Sequence, residues 1–242
     1  MRRRVEAPGW WRAVPAFRLK DLGAPGPAVA LTFDDGPDPV VTPRLLDLLA
    51  RRRARATFFV CGVAAQRHPD LVHATAAAGH TVGGHTWDHR ALPHADPATL
   101  GRQLDATHGL LGELIGAPVR HFRPPHGFTT RRARTRLRRA GVAEVLWSAL
   151  GHDWYERDPA RIAARVAADL APGAIVLLHD ACGDLLPPGA TLPPGVTPDR
   201  TPTVAAVDLL LDVIRERGLT PVALPAPPGP QPAWSRPRRR AA

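Results

Sequence analysis

Cysteine, lysine and aromatic residues are scarce in this chain. Cys61 and Cys182 are its only cysteines in 242 residues and stand far apart, with no C-x-x-C pair. That spacing excludes a disulfide framework and a cysteine-based zinc finger, so both are expected to be ordinary buried thiols. Aromatic residues make up 5%, and Lys20 is the single lysine, which leaves arginine to carry the basic charge. Long apolar runs are missing too: nothing approaches the roughly 20 consecutive apolar residues of a membrane-spanning helix. The chain opens with arginines, as a secretion signal would, but Pro8, Gly9, Arg12 and Pro15 interrupt the segment that would have to be its apolar run. Export has no visible address, so the cytoplasm is the default location, with association with the cell envelope left open.

Acidic charge is scarce where basic charge collects, with Glu6 alone among the basic residues of the two ends. The net charge is +10, of which residues 1–20 carry +5 and residues 218–242 carry +4, leaving +1 for the nearly 200 residues between them. Basicity confined to the ends argues against nucleic acid as a partner and for solvated tails with at most weak electrostatic attraction to anionic surfaces. With 44% hydrophobic residues the middle can bury one sizeable core. The expected organisation is a basic extension over 1–24, one folded domain over 25–224, and a Pro/Arg-rich disordered tail over 225–242.

Within the domain, short apolar runs at 28–33, 56–60, 80–82, 121–123, 144–147, 175–178 and 220–223 read as buried strands. Helical patterns alternate with them: 43–53 with Thr42 as its N-cap, then 70–78, 97–115, 130–140, 159–170 and 204–217, with Gly79, Gly116 and Gly141 as stops. This alternation predicts a parallel α/β sheet, either open or closed into a barrel. The Pro/Gly-rich stretch 184–202 is expected to be a long loop.

Chemistry-bearing residues stand just past the ends of these strands, where parallel α/β folds place their active sites. Asp34 and Asp35 precede a Gly-Pro turn. His85 and His89 are four residues apart, which on a helical turn would let two imidazoles grip one metal ion. A carboxylate from elsewhere would complete a two-His, one-Asp site with open positions, so one of Asp34 and Asp35 could bind metal while the other stays free as a base. Arg123-Pro124-Pro125-His126-Gly127 stiffens a strand exit around an arginine. Asp153-Trp154 follows Trp147-Ser148, and Leu177-Leu178-His179-Asp180 ends a strand.

These five stretches, in this order from Thr32 to Asp180, resemble the successive motifs of the polysaccharide deacetylase family, whose shared module is the NodB homology domain (carbohydrate esterase family 4). The resemblance implies an α/β fold, a distorted (β/α) barrel of about seven parallel strands in a single domain. It also implies a hydrolase removing N-acetyl groups from an amino-sugar glycan or oligosaccharide, with one divalent ion, usually zinc, although cobalt or another divalent ion serves some members. On this resemblance Asp35, His85 and His89 are the metal ligands, Asp34 the general base, Arg123 the group that orients it, His179 the general acid and Asp153 the residue tuning that histidine. His126 would offer a backbone N–H to the oxyanion, and Trp154 and Leu177 would wall the acetyl pocket. A deformylase or deacetylase of a small or lipid-linked amido sugar shares this mechanism, and a non-catalytic saccharide-binding protein shares the fold. Two positions depart from the pattern: His126, where an aromatic residue is usual, and Leu150, where many members carry an additional acid.

Overall fold

A computed structural model describes residues 27–182, 192 and 195–227. The expected extension over 1–24, all but the first three residues of the expected tail, and most of the stretch 184–202 lie outside these described residues.

The sheet is organised around β1 (Ala28–Asp34), which is buried along its whole length. On one edge it pairs with β7 (Ile175–His179). On the other it pairs first with β8 (Thr220–Val222), over Ala28 to Ala30, and then with β2 (Thr57–Val60), over Thr32 to Asp34. The path runs outward from β2 through β3 (Thr81–Gly84), β4 (His121–Phe122) and β5 (Ala143–Glu144), and outward from β7 to β6 (Ala149–Leu150); every pairing is parallel. A strand covered on both faces must be apolar on both, which is why 28–33 shows no polar alternation. Its side chains still alternate in direction. Val29, Leu31 and Phe33 join Phe58, Val60, Val176 and Leu178 in the core beneath the helices. Ala28 and Ala30 join Phe59, Val145 and Ile175 on the opposite, inner face.

In the order β5-β4-β3-β2-β1-β7-β6 the sequence neighbours β5 and β6 sit at opposite ends of the path. Laid flat, strands spaced at about 4.8 Å would hold them roughly 29 Å apart, whereas the chain from Glu144 to Ala149 can reach only roughly 17 Å. The sheet therefore curls into the expected distorted barrel, and the even-numbered side chains of β1 face its interior.

The helices are α1 (Val41–Arg51), α2 (Gly62–Arg67), α3 (Pro69–Ala77), α4 (Pro97–Ile115), α5 (Arg131–Arg139), α6 (Pro159–Asp169) and α7 (Thr201–Glu216). Leu45, Leu48 and Leu49 of α1, Ile162 and Val166 of α6, and Val207, Leu210 and Ile214 of α7 bury their apolar stripes against the outer face of the sheet. Asp96 and Asp158 cap α4 and α6 by accepting backbone N–H bonds, and Gly116 ends α4 in the left-handed conformation. No helix among the described residues is long and apolar enough to cross a membrane.

Five local expectations are corrected. Thr42 lies inside α1 rather than capping it, and its hydroxyl donates to Asp180 and accepts the Asp38 N–H. The strand expected over 144–147 is interrupted: the Val145 and Leu146 carbonyls accept from the Arg123 side chain, and pairing resumes only at Ala149. α7 begins three residues before the expected start, and α2 fills a stretch read as a connection. Cys61 is buried as expected, but Cys182 is only half-buried.

Candidate metal and catalytic site

The interior of the barrel changes from alanine at its base to carboxylate and imidazole at its mouth, on the period-two alternation of its strands. Thr32 and Asp34 point inward from β1, and their register partners on β7 are Leu177 and His179. Beyond Asp34 the chain turns sharply: Asp35 has φ 79°, a left-handed conformation costly for any residue but glycine. Asp180 holds this turn in place. Its Oδ1 accepts the Gly36 N–H at 3.2 Å and its Oδ2 accepts the Thr42 hydroxyl at 2.6 Å. Burial pushes the Asp180 carboxyl up to about 7 against the stabilising Thr42 bond, and the charges of Asp35 and Asp34 push it the same way. A Cβ on Gly36 would lie 2.2 Å from Asp180 Oδ2. Gly36→Ala is expected to displace Asp180, lower stability by about 1–3 kcal/mol and misplace Asp35; a urea midpoint and an acetate-release rate both equal to wild type would contradict this.

Asp35, His85 and His89 each offer one ligand atom, and the three atoms lie within 4.8 Å of one another. Asp35 Oδ1 is 3.4 Å from His85 Nε2 and 3.2 Å from His89 Nε2. It is a buried carboxylate oxygen with no hydrogen-bond partner among the described residues, the situation that a bound cation resolves. His85 Nδ1 lies 2.7 Å from the Arg123 carbonyl, which makes Nδ1 the protonated nitrogen and leaves the Nε2 lone pair facing Asp35. Burial holds His89 down at about 4 against the pull of Asp35, so its ring is neutral and able to ligate near pH 7. Burial alone would raise the Asp35 carboxyl, but His89 and His85 hold it well below the usual carboxylate range. These residues fit a divalent ion.

The two histidines do not meet on a helical turn. Residues 85–90 form a non-helical loop with left-handed backbone at Thr86 and His89. Gln103 of α4 pins this loop, accepting the Trp87 N–H at 2.8 Å and donating to Asp88 at 2.8 Å, and α2 donates backbone N–H groups to the Thr86 and Trp87 carbonyls.

Arg123 is completely buried, and its guanidinium stands 4.2 Å above the Phe59 ring. It donates to Asp34 Oδ1 at 2.7 Å, to the Thr32 hydroxyl at 2.6 Å, and to the Val145 and Leu146 carbonyls. Such a charge is tolerable inside the barrel because its donors are nearly all used and Asp34 balances it. Burial draws the guanidinium pKa down and the Asp34 carboxylate opposes that.

His179 is bound elsewhere. Its Nδ1 is 2.8 Å from Asp153 Oδ1, and its backbone N–H donates to Asp153 Oδ2 at 2.7 Å. Burial would lower the His179 pKa, but the Asp153 charge and hydrogen bond outweigh it, so the imidazole is raised above its ordinary value. The Trp154 ring meets His179 edge-on at 5.4 Å, and Leu177 is buried one inward position below it. His126, with φ 59°, is exposed at the rim and packs edge-on against His89 at 4.9 Å. Leu150 is the β6 register partner of Leu177. All ten residues singled out from the sequence thus lie at or beside the strand ends at the mouth of the barrel. Thr32, Gln103 and Asp180 were missed. Thr32 was findable from the period-two spacing to Asp34 and Asp180 from its place beside His179; Gln103 carries no local signal.

The family model described as polysaccharide deacetylase matches residues 22–145, a span that includes Asp34, Asp35, His85, His89, Arg123 and His126 and stops short of Asp153 and His179. The chain is 39% identical over 204 residues to the chitooligosaccharide deacetylase of Sinorhizobium fredii, covering 84% of this chain and 93% of that protein. It is 36% identical over 152 residues to the peptidoglycan-N-acetylglucosamine deacetylase PgdA of Listeria monocytogenes, covering 63% of this chain and 32% of that one. Among solved structures it is similar to the Bc1960 peptidoglycan N-acetylglucosamine deacetylase, with a TM-score of 0.75 and 29% identity over 90% of this chain and 95% of that one.

Proposed function

This chain belongs to the polysaccharide deacetylase family, and on that premise we propose that it hydrolyses N-acetyl groups on a glucosamine-containing oligosaccharide or glycan, with Asp34 as base and His179 as acid. The observation that carries this reading is the division of partners at the barrel mouth. Asp34 and His179 are register neighbours, yet Asp34 is drawn to Arg123 on one side of the ligand cluster and His179 to Asp153 on the other. A protein that merely bound saccharide would need neither arrangement.

Asp35, His85 and His89 would hold one divalent ion, with Zn²⁺ favoured by two imidazole nitrogens and one carboxylate oxygen, and Co²⁺ suited to the same donors. Such an ion polarises a carbonyl and acidifies water. Arg123 donates to Asp34 Oδ1 and so fixes the orientation of the carboxylate that would take the proton of the attacking water. The backbone N–H of His126 would donate to the developing oxyanion. Asp153 occupies His179 Nδ1, which leaves Nε2–H to protonate the departing sugar amine. Trp154 and Leu177 would enclose the acetyl methyl.

The test is acetate release from N-acetylglucosamine oligomers and from peptidoglycan fragments, with a formamido sugar as comparison. Acetate and free amine are expected in equal amounts. Because Asp153 raises His179, the rate should fall on the alkaline side only above the ordinary imidazole value of about 6.5, as His179 loses its proton. Saccharide binding without release of any acyl group would leave a binding protein instead, and preferential release of formate would reassign the substrate.

A further inference from the structure

The Asp153 carboxylate accepts three hydrogen bonds, and the third comes from outside the five sequence stretches. The Thr203 hydroxyl, in the first turn of α7, donates to Asp153 Oδ2 at 2.9 Å. Three residues earlier, the guanidinium of Arg200 donates to the Asp153 backbone carbonyl at 3.5 Å and to that of Thr197. Both side chains are 1% exposed. We propose that Thr203, supported by Arg200, is a positioning residue for the acid His179, an inference that rests on the assignment of His179 as the acid.

Asp153 sits in a loop beyond β6, so no strand ladder sets the orientation of its carboxylate. The setting comes from α7 and its lead-in. Thr197 N–H donates to the Trp154 carbonyl at 3.0 Å, and Arg157 reaches back to the Thr197 hydroxyl and to Asp199, both at 2.7 Å. The segment carrying Asp153 and Trp154 is thereby strapped to the start of α7. Within the strap the two carboxylate oxygens have separate duties. Oδ2 is shared by the His179 backbone N–H and the Thr203 hydroxyl, which leaves Oδ1 for the imidazole. With Nδ1 fixed as the inner nitrogen, Nε2 must face the cleft. Without the Thr203 hydroxyl the carboxylate keeps one donor on Oδ2 and gains freedom to rotate, and its charge is less neutralised.

That change acts on proton transfer rather than on saccharide binding. Asp153 and Asp35 favour the protonated imidazole, while Arg200 opposes it, and the imidazoles of His89 and His126 share the same field. A less neutralised Asp153 makes His179 a weaker proton donor.

The experiment compares Thr203→Val and Thr203→Ser with wild type by kcat, KM and the pH profile of acetate release, with His179→Ala as reference. Thr203→Val should lower kcat roughly ten- to hundredfold with KM little changed and move the alkaline limb to higher pH, and Thr203→Ser should restore both. Should the valine variant not fold, Thr203→Cys, of similar size and with only a weak donor, carries the same prediction. Wild-type turnover in His179→Ala would overturn the acid assignment itself. Loss of turnover there, with wild-type kcat and pH profile in Thr203→Val, would overturn the positioning role alone. A slow valine variant whose alkaline limb stays in place and which serine does not rescue would reduce Thr203 to a structural residue, and the proposal would fall.

Discussion

Asp34→Asn should lower kcat for acetate release at least ~100-fold while the protein still binds one divalent ion, because removing a positioned general base typically costs 10²- to 10⁴-fold. The amide keeps the volume of the carboxylate and an oxygen to accept from Arg123, but it cannot take a proton from water. Metal content should be preserved, since the three clustered ligand atoms belong to Asp35, His85 and His89 and not to Asp34. Stability should fall as well. Arg123 is completely buried and its only carboxylate partner among the described residues is Asp34, and removing one member of a buried pair costs about 3–5 kcal/mol. Kinetics and elemental analysis should be run well below a melting temperature measured for each protein. An asparagine variant that turns over at the wild-type rate would take Asp34 out of the base role.

Stripping the ion should abolish turnover, and Zn²⁺ or Co²⁺ should restore it. The physical ground is Asp35 Oδ1, a buried oxygen with two imidazole nitrogens within 3.4 Å and no hydrogen-bond partner among the described residues. An ion that binds the folded chain alone also stabilises it, by about 2.7 kcal/mol at a hundredfold excess over its dissociation constant. Added Zn²⁺ should therefore raise the melting temperature of chelated wild type, and His85→Ala should lose both that shift and the activity. The melting shift reports on the ion separately from catalysis. If chelated protein neither gains stability with Zn²⁺ nor differs in rate, the three ligands do not form a metal site.

The candidate catalytic groups were legible for a simple reason: in a parallel sheet, strand ends gather at one mouth, so polar residues just past apolar runs are brought together whatever the strand order. Asp34, Arg123 and His179 were found that way. The local geometry of the histidine pair was not, because a spacing of four suggests a helical turn. The real loop uses left-handed backbone at Thr86 and His89, held by a glutamine from α4 that is more than a dozen residues away. The strand read over 144–147 failed for a related reason. A pattern of apolar residues cannot show that a buried arginine just past β4 will claim two of the carbonyls that the ladder would have used.

From its residues alone, this chain determined the alternation of strands and helices, the inward and outward alternation along β1, and the identity of the side chains delivered to the mouth of the barrel. These follow from periods of two and 3.6 residues, which act over a single element and can be read from neighbours. Tertiary structure decided which oxygen meets which nitrogen. Asp180 reaches Gly36 across 144 residues and Thr203 reaches Asp153 across 50. Such pairings depend on the curl of the sheet and on where α7 docks, and those arise from the packing of the whole core, for which no short stretch of sequence holds the information.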